Sequence, residues 1–147
     1  MKSSAQIGER LNTYQWMAPE TLGTTGAKVE YDEKADIYSY GMVLWEMLTR
    51  AFPFDEFITQ RELTYINPAG KTVFNDEEVK AAIEQRRLRP TLPEEGPEEL
   101  KLLIRQCWSH SPAKRPSFEA IVHRLAPLRN TCSVIKSVIM SRQCSST

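Results

Sequence analysis

The stretch "DIYSYGMVLWEMLTR", residues 36–50, decides the fold. Its apolar residues fall on every side of the helix that it predicts, so no polar stripe is wide enough to face solvent. We therefore expect a central helix that other elements enclose nearly all round. Asp36, or a residue just before it, is the expected N-cap, and Arg50 lies near the negative end of the helix dipole. The apolar residues are Ile37, Tyr38, Tyr40, Met42, Val43, Leu44, Trp45, Met47 and Leu48.

Gly41 lies inside this predicted helix, where glycine costs about 1 kcal/mol relative to alanine. Two explanations are open at this stage. Another backbone could approach the helix closely at this position, or the glycine could simply be tolerated.

Two more helices are expected before residue 110. The stretch "NDEEVKAAIEQRR", residues 75–87, has Asn75 as N-cap with Glu78 three residues later, which predicts a surface helix. The stretch "EELKLLIRQCW", residues 98–108, follows Pro97, which is expected in its first turn. Their predicted buried faces are Val79, Ala82 and Ile83 in the first, and Leu100, Leu103, Ile104, Cys107 and Trp108 in the second.

A last helix is expected from Ser117, its N-cap, to Pro127, which should end it. Its predicted buried face is Phe118, Ile121, Val122 and Leu125. Residues 51–74 mix proline, glycine and aromatic residues, and they predict a long irregular connection with at most a short turn of helix or strand. The fold class is therefore mainly α, with about four main helices.

The composition narrows the class of protein. The chain has 147 residues, which fits a single domain, and its 41% hydrophobic and 26% charged residues are typical of a globular protein. Nineteen basic residues balance nineteen acidic ones, which argues against binding nucleic acid through its phosphates. Three cysteines without a C-x-x-C pair predict neither a disulfide framework nor a metal site. With no long apolar run and no apolar leader, the sequence predicts a cytoplasmic protein that does not bind a membrane.

Three stretches together resemble one family. They are "TYQWMAPE" at residues 13–20, "KADIYSYGMVLWEMLT" at 34–49 and "CWSHSPAKRPSF" at 107–118. In this order and at these separations they are similar to the second half, or C-lobe, of a protein kinase catalytic domain, in which A-P-E is a signature element. The Thr and Trp-Met before A-P-E resemble the tyrosine-kinase-like group of serine/threonine kinases, although Asn12 replaces the usual glycine.

The resemblance covers roughly residues 5–129 and implies a protein-kinase-like C-lobe fragment, with helices around the central apolar helix and no N-lobe β-sheet. It divides the chain into three parts. Residues 1–12 would be a remnant of the activation segment, residues 13–129 a partial kinase C-lobe, and residues 130–147 a flexible tail.

The resemblance also implies structural roles for three charged residues. Glu20 and Arg115, 95 positions apart, correspond to a buried ion pair of the family. Asp36 resembles an aspartate that hydrogen-bonds the backbone of the catalytic loop. Trp45 and Trp108 are expected to be core aromatics.

The segment of residues 13–17 resembles the family's pocket for the peptide residue just after the phosphorylated one. The implied substrate-binding residues are Thr13, Tyr14, Gln15, Trp16 and Met17, and Thr13 would meet the catalytic aspartate and lysine. The same segment could instead pack inward and be purely structural. Ser3 and Ser4 are candidate phosphorylation sites, because they fall in the implied activation loop.

The sequence predicts no catalytic residue and no metal ligand of its own. It contains no G-x-G-x-x-G, V-A-I-K, H-R-D-x-x-x-x-N or D-F-G, which kinases use to hold Mg-ATP and to position the reacting groups. His110 and His123 are expected in a turn and on a helix, without a paired nucleophile. The complete family domain transfers the γ-phosphate of Mg-ATP to a Ser or Thr hydroxyl in signal transduction, whereas this chain alone is predicted to bind no cofactor and to be inactive.

Two interpretations remain open. The chain could be a truncated piece of a serine/threonine kinase, or a non-catalytic protein-interaction module that holds a substrate or another kinase. In both cases the partner is a protein or peptide. One flank of the central helix would be uncovered without the upstream half, which predicts marginal stability or self-association.

Overall fold

Five helices and one hairpin form the part of the chain that the structure describes. The computed structural model describes residues 14–23, 32–59 and 63–128, so Ser3, Ser4, Asn12 and Thr13 lie outside it. The helices are α1 (Glu33–Thr49), α2 (Asp55–Thr59), α3 (Asp76–Glu84), α4 (Glu98–Cys107) and α5 (residues 118–128), and the strands are β1 (Thr64–Ile66) and β2 (Thr72–Phe74). Short 3-10 turns span Tyr14–Trp16, Pro19–Thr21 and Pro112–Lys114.

The central helix α1 begins earlier than expected, and the prediction that Asp36 or a residue just before it caps the helix is wrong. Asp32 is the N-cap, because its carboxylate accepts hydrogen bonds from the backbone N–H groups of Lys34 at 2.9 Å and Ala35 at 3.3 Å. Asp36 therefore lies in the first turn, where its negative charge still complements the helix dipole. Arg50 ends the helix in the left-handed conformation, with φ of 55°.

Helices α1 and α4 pack directly against each other, and Gly41 is the reason that they can. A Cβ atom built on Gly41 would lie 2.6 Å from Cβ of Cys107 and 3.3 Å from the backbone nitrogen of Trp108. The close approach of another helix, rather than mere tolerance, thus explains this glycine. The expectation of near-complete enclosure holds for most of the helix but not for its outer side, where the side chains of Val43 and Met47 are 40% and 70% exposed.

The hairpin lies in the stretch of residues 51–74, which was predicted to be an irregular connection. Helix α3 corresponds to the predicted surface helix of residues 75–87. Strands β1 and β2 pair antiparallel, with Thr64 opposite Phe74. Asn75 caps α3 by accepting from the N–H of Glu78, as expected. Its predicted apolar face is fully buried, comprising Val79, Ala82 and Ile83.

Helices α4 and α5 follow the prediction with three corrections. Pro97 is the N-cap of α4 rather than a residue of its first turn, with ψ of 124°. Two residues of the predicted buried face of α5, Phe118 and Val122, are 37% and 66% exposed, whereas Ile121 faces the core. Residues 118–128 are all helical, so Pro127 does not end α5; its fixed φ suits a helix, although its missing N–H removes one hydrogen bond.

The core joins all of these elements into one cluster around α1. Tyr38, Met42 and Trp45 of α1 pack with Ile83 of α3 and Ile104 of α4. The prediction of a mainly α C-lobe-like fold around a central apolar helix is confirmed. Among the described residues, no helix is long and apolar enough to cross a membrane.

Candidate substrate-facing segment and its anchor

The segment of residues 14–17, which we call the 14–17 loop, is fixed against α3 by its first residue. Tyr14 is buried, and its hydroxyl donates a hydrogen bond of 2.9 Å to the Oδ1 atom of Asp76, the first residue of α3. Burial raises the pKa of Tyr14 well above its ordinary value, and the hydrogen bond and the charge of Asp76 raise it further. The phenol therefore stays neutral and acts as a structural donor.

The other side chains of the 14–17 loop divide into buried and half-buried ones. Gln15 is 3% exposed, and its Oε1 atom has no hydrogen-bond partner within the described parts of the chain. Trp16 and Met17 are half-buried at the edge of the core. Only these last two side chains reach solvent, so the structure places Tyr14 and Gln15 inward.

Two side chains of helix α1 hold Trp16 in place through hydrogen bonds. The indole Nε1 atom of Trp16 donates to the Oε2 atom of Glu46 at 3.2 Å, and the Ser39 hydroxyl donates to the Trp16 carbonyl oxygen at 2.8 Å. The Trp16 ring also meets the ring of Phe52 edge to face, with centroids 5.0 Å apart. Sequence reasoning missed these three supporting residues. Glu46 carried a signal, because it is the one charged side chain between Asp36 and Arg50.

An ion pair anchors the chain just after the 14–17 loop. Arg115 donates from Nη1 to Oε1 of Glu20 at 2.6 Å and from Nη2 to Oε2 at 2.8 Å, which is the two-pronged geometry of a guanidinium facing a carboxylate. The Arg115 side chain is fully buried, whereas that of Glu20 is 25% exposed. Positions 95 apart in sequence are thereby joined.

The same guanidinium also holds two backbone segments. It donates to the carbonyl oxygens of Lys34 at 2.8 Å and Ser109 at 2.8 Å. In return, the Lys34 ammonium donates to the Arg115 carbonyl oxygen at 2.9 Å. Arg115 thus fixes the Glu20 segment to the start of α1 and to the turn between α4 and α5.

Tyr38 lies between two arginines beside this anchor. Its ring centroid is 5.1 Å from the Arg115 guanidinium carbon and 4.9 Å from that of Arg89, within reach of cation–π attraction. Burial raises the pKa of Tyr38 to about 12, although both arginines act in the opposite direction. Sequence reasoning also missed Arg89, because nothing local to its proline-flanked segment indicates that it turns inward.

The remaining residues singled out in the sequence lie apart from the 14–17 loop. Asp36 is exposed in the first turn of α1, and His123 is exposed on α5. Trp45 and Trp108 are buried core aromatics, at 3% and 7% exposure. Thr13, Ser3 and Ser4 lie outside the described residues.

The described residues form no ready-made metal cage. In the described ranges, no three His, Cys, Asp or Glu side chains are grouped so that they could hold a metal ion. What the geometry does supply is a surface loop held rigidly on a helical scaffold.

Comparison with known proteins identifies that scaffold. The profile of the family described as "Protein tyrosine and serine/threonine kinase" matches residues 2–125. "Probable serine/threonine-protein kinase roco7" of Dictyostelium discoideum is 37% identical over 136 residues, which are 92% of this chain but 5% of that protein. "Dual specificity protein kinase shkA" of the same organism is 39% identical over 119 residues, which are 81% of this chain and 19% of that protein.

A plant protein named as a protein kinase is also similar to this chain. "Serine/threonine-protein kinase STY17" of Arabidopsis thaliana is 35% identical over 116 residues, which are 79% of this chain and 17% of that protein. The chain therefore spans less than a fifth of the length of these relatives. The chain belongs to the protein tyrosine and serine/threonine kinase family.

Proposed function

We propose that this chain is the peptide-facing part of a serine/threonine kinase C-lobe, and that it acts in phosphoryl transfer only together with the nucleotide-binding half of such a domain. The single observation that carries the proposal is the 14–17 loop: Trp16 and Met17 reach solvent, while Tyr14, Glu46 and the Glu20–Arg115 pair hold the loop in place. A rigid, half-exposed apolar edge suits a peptide side chain.

The proposal narrows the substrate-binding residues that the family resemblance implied. The side chains of Trp16 and Met17 would contact the peptide residue just after the phosphorylated Ser or Thr. Tyr14 and Gln15, which are buried, would contribute by positioning the loop. Thr13 would lie next to the catalytic aspartate of a complete domain, and Ser3 and Ser4 stay candidate phosphorylation sites.

We further propose that the chain alone binds no Mg-ATP and is inactive. This is supported by the absence from the 147 residues of the glycine-rich loop, the lysine strand and both catalytic loops. The division into residues 1–12, 13–129 and 130–147 belongs to the same proposal. So does a cytoplasmic location in a signalling pathway, with a protein substrate or another kinase as partner.

Peptide binding to the purified chain tests the role of the 14–17 loop. An array of peptides with a central Ser and a varied next residue should show a preference at that next position, because Trp16 and Met17 would contact it. Met17→Ala should weaken binding of the preferred peptides and flatten the preference. Tyr65→Ala is the matched control, since Tyr65 is 51% exposed on the hairpin and belongs neither to the 14–17 loop nor to the residues that support it. Equal loss in both variants would contradict the proposal.

The transcript upstream of the Met1 codon separates the two interpretations of the chain. An in-frame glycine-rich loop, lysine strand and catalytic loops would support a kinase domain of which this is a part. An in-frame stop codon followed upstream by unrelated sequence would instead favour a non-catalytic interaction module.

A further inference from the structure

Helices α1 and α5 both expose apolar side chains, and an aromatic contact joins them. Val43 and Met47 of α1 are 40% and 70% exposed. Phe118 and Val122 of α5 are 37% and 66% exposed, and the members of each pair lie one turn apart on their helix. The ring of Tyr40, in α1, meets the ring of Phe118 edge to face, with centroids 5.9 Å apart. These five residues, which we call the α1–α5 face, are separate from the 14–17 loop.

Helix α4 shows in which direction α1 runs beside it. At the end of α4, Cys107 lies next to Gly41, near the middle of α1. Just before the start of α4, a Cβ atom on Gly96 would lie 3.0 Å from a methyl carbon of Leu48, near the end of α1. Helices α1 and α4 are therefore antiparallel.

Helix α5 turns back along α4 and so runs parallel to α1. Its first residue, Phe118, lies beside Tyr40, in the part of α1 that meets the end of α4. Six residues later, Arg124 donates to Glu99 in the first turn of α4, at 2.8 Å. Because ten residues of helix span about 15 Å, α5 brings Leu128 level with the end of α1.

The tail of residues 130–147 has an apolar stripe at helical spacing in its sequence. The stretch "SVIKSVIMS", residues 133–141, repeats serine, valine and isoleucine every four positions. In a helix, four aliphatic side chains would share one face, and serines and Lys136 would lie on the other. β-Branched residues are weak helix formers, so such a helix needs a surface to pack against. The four aliphatic residues are Val134, Ile135, Val138 and Ile139.

The length of the tail suits the α1–α5 face. Residues 129–132 can turn the chain after Leu128, since connections between packed helices commonly take about two to eight residues. A helix of residues 133–142 is about 15 Å long, which would return it along α5 to the level of Phe118. The apolar stripe would then lie against both exposed pairs.

The charges of the tail suit the same direction. Residues 130–147 carry two basic residues and no acidic one. Glu33, at the start of α1, and Glu119, in the first turn of α5, are both exposed. A tail helix that runs back along α5 would end at these carboxylates with Arg142, so the charges at this end are complementary.

We propose that residues 133–142 fold into a helix on the α1–α5 face of their own chain. The tail that the sequence predicts to be flexible thereby becomes ordered, because burial of its apolar stripe offsets its weak helix propensity. A second copy would compete for Val43 and Met47, but the tail is at a high effective concentration because it belongs to the same chain. Release of the tail should therefore promote self-association.

Paramagnetic broadening in NMR spectra of the full chain tests this contact. A nitroxide is attached to Cys144 in a chain that carries Cys132→Ser. Cys107 stays unlabelled, because it is buried and burial raises the pKa of its thiol to about 11. We expect the strongest broadening, outside the tail itself, at the amides of Tyr40 and Phe118. An equimolar mixture of ¹⁵N-labelled chain without nitroxide and unlabelled chain with nitroxide should show no such broadening when dilute.

Two matched pairs of variants assign the contact to the apolar stripe and to the α1–α5 face. Ile135→Asp should abolish the broadening and lower the concentration at which the chain self-associates, whereas Ser137→Asp, on the other side of the tail helix, should change neither. Val122→Asp should also abolish the broadening, and His123→Asp, at the exposed neighbouring position, should preserve it. All four positions lie outside the buried core, so the variants should fold.

Three results would overturn the proposal. The first is broadening that is no stronger at Tyr40 and Phe118 than elsewhere on the described helices. The second is an equal response to Ile135→Asp and Ser137→Asp, which would mean that the apolar stripe does not make the contact. The third is broadening of the same amides in the dilute mixture, which would assign the face to the tail of a second copy.

Discussion

Arg115 illustrates what can be inferred at the scale of one residue. Its pairing with Glu20 was expected from the resemblance of two distant motifs, A-P-E and the one around Arg115. Its bonds to the carbonyl oxygens of Lys34 and Ser109 could not be predicted, because they depend on how two backbone segments turn toward the guanidinium. The motif around Arg115 therefore predicted its ion-pair partner, but it did not predict the other hydrogen bonds that Arg115 makes.

Removing this guanidinium should destabilise the protein strongly. Arg115→Ala should lower the free energy of unfolding by about 3 kcal/mol, because it leaves Glu20 and three backbone carbonyl groups, those of Lys34, Ser109 and His110, without this donor. Urea unfolding followed by circular dichroism measures the change. Lys114→Ala, at an exposed neighbouring position, is the control and should change stability by less than about 0.5 kcal/mol. Equal stability of the two variants would show that the pair is not an anchor.

Tyr38 gives a second prediction at this scale. Its hydroxyl has no hydrogen-bond partner among the described residues, so Tyr38→Phe should leave stability at pH 7 unchanged or raise it by up to about 1 kcal/mol. The ring and its contacts with Arg89 and Arg115 are kept in this variant.

Alkaline pH provides the test of the Tyr38 environment. The pKa of Tyr38 is about 12 in the folded chain against 10.0 ordinarily, so the neutral phenol favours folding below pH 10. That contribution should be lost as pH rises from 10 toward 12, because the unfolded chain releases its proton first. Unfolding free energies measured along this range should fall less steeply for Tyr38→Phe. Parallel curves for the two proteins would contradict the raised pKa.

The helices show which features of an element the sequence determines. The cap at Asn75 and the buried face of α3 were predicted correctly, because a capping residue and helical apolar spacing are local signals. Asp32 was missed as the cap of α1, because the apolar run begins only after Asp36. Polar Glu33 and Lys34 nevertheless form the first turn, and helix formers need no apolar side chain. The pairing of β1 with β2 was missed, because each strand has only three residues.

The contact between α1 and α4 predicts the effect of filling Gly41. Gly41→Ala should lower the free energy of unfolding by about 1 to 3 kcal/mol, because the added Cβ would overlap Cβ of Cys107 at 2.6 Å. Helix propensity alone predicts the opposite sign.

Thermal unfolding of Gly41→Ala therefore separates packing from propensity. Met47→Ala in the same helix, at a position that is 70% exposed, should behave like the unaltered chain when both are measured at a concentration low enough to prevent self-association. A melting temperature of Gly41→Ala above that of the unaltered chain would mean that α1 and α4 do not approach each other this closely.

At the scale of the whole molecule, the most informative feature is the exposed apolar surface on the outer side of α1. Val43 and Met47 are exposed on a helix whose other large apolar side chains lie in or against the core, while the relatives are much longer than the matched part. The sequence predicted this exposure, because it carries the central helix of a C-lobe without the upstream motifs. Two alternatives were open for the segment that contains the 14–17 loop, and the buried side chains of Tyr14 and Gln15 fit inward packing whereas Trp16 and Met17 are half-buried. The sequence could not divide the loop in this way, because burial of Tyr14 and Gln15 depends on α3 and the core.

This exposed side should make the isolated chain self-associate. Sedimentation velocity should show a concentration-dependent rise in mass for the unaltered chain, because apolar surface is removed from water when two copies meet. Met47→Lys should shift the distribution toward monomer. Ile66→Lys is the control, because it alters a similarly exposed apolar residue on the hairpin. A monomer at all concentrations, or an equal effect of both variants, would refute self-association through α1.

The most direct test of the central claim is whether the purified chain binds Mg-ATP and transfers its γ-phosphate. The account predicts no saturable binding in a calorimetric titration and no radiolabelled phosphate on a Ser- or Thr-containing peptide above that of heat-denatured chain, because the groups that hold the nucleotide lie in the other half of a kinase domain. Stoichiometric Mg-ATP binding, or phosphate transfer that the native chain alone catalyses, would contradict it.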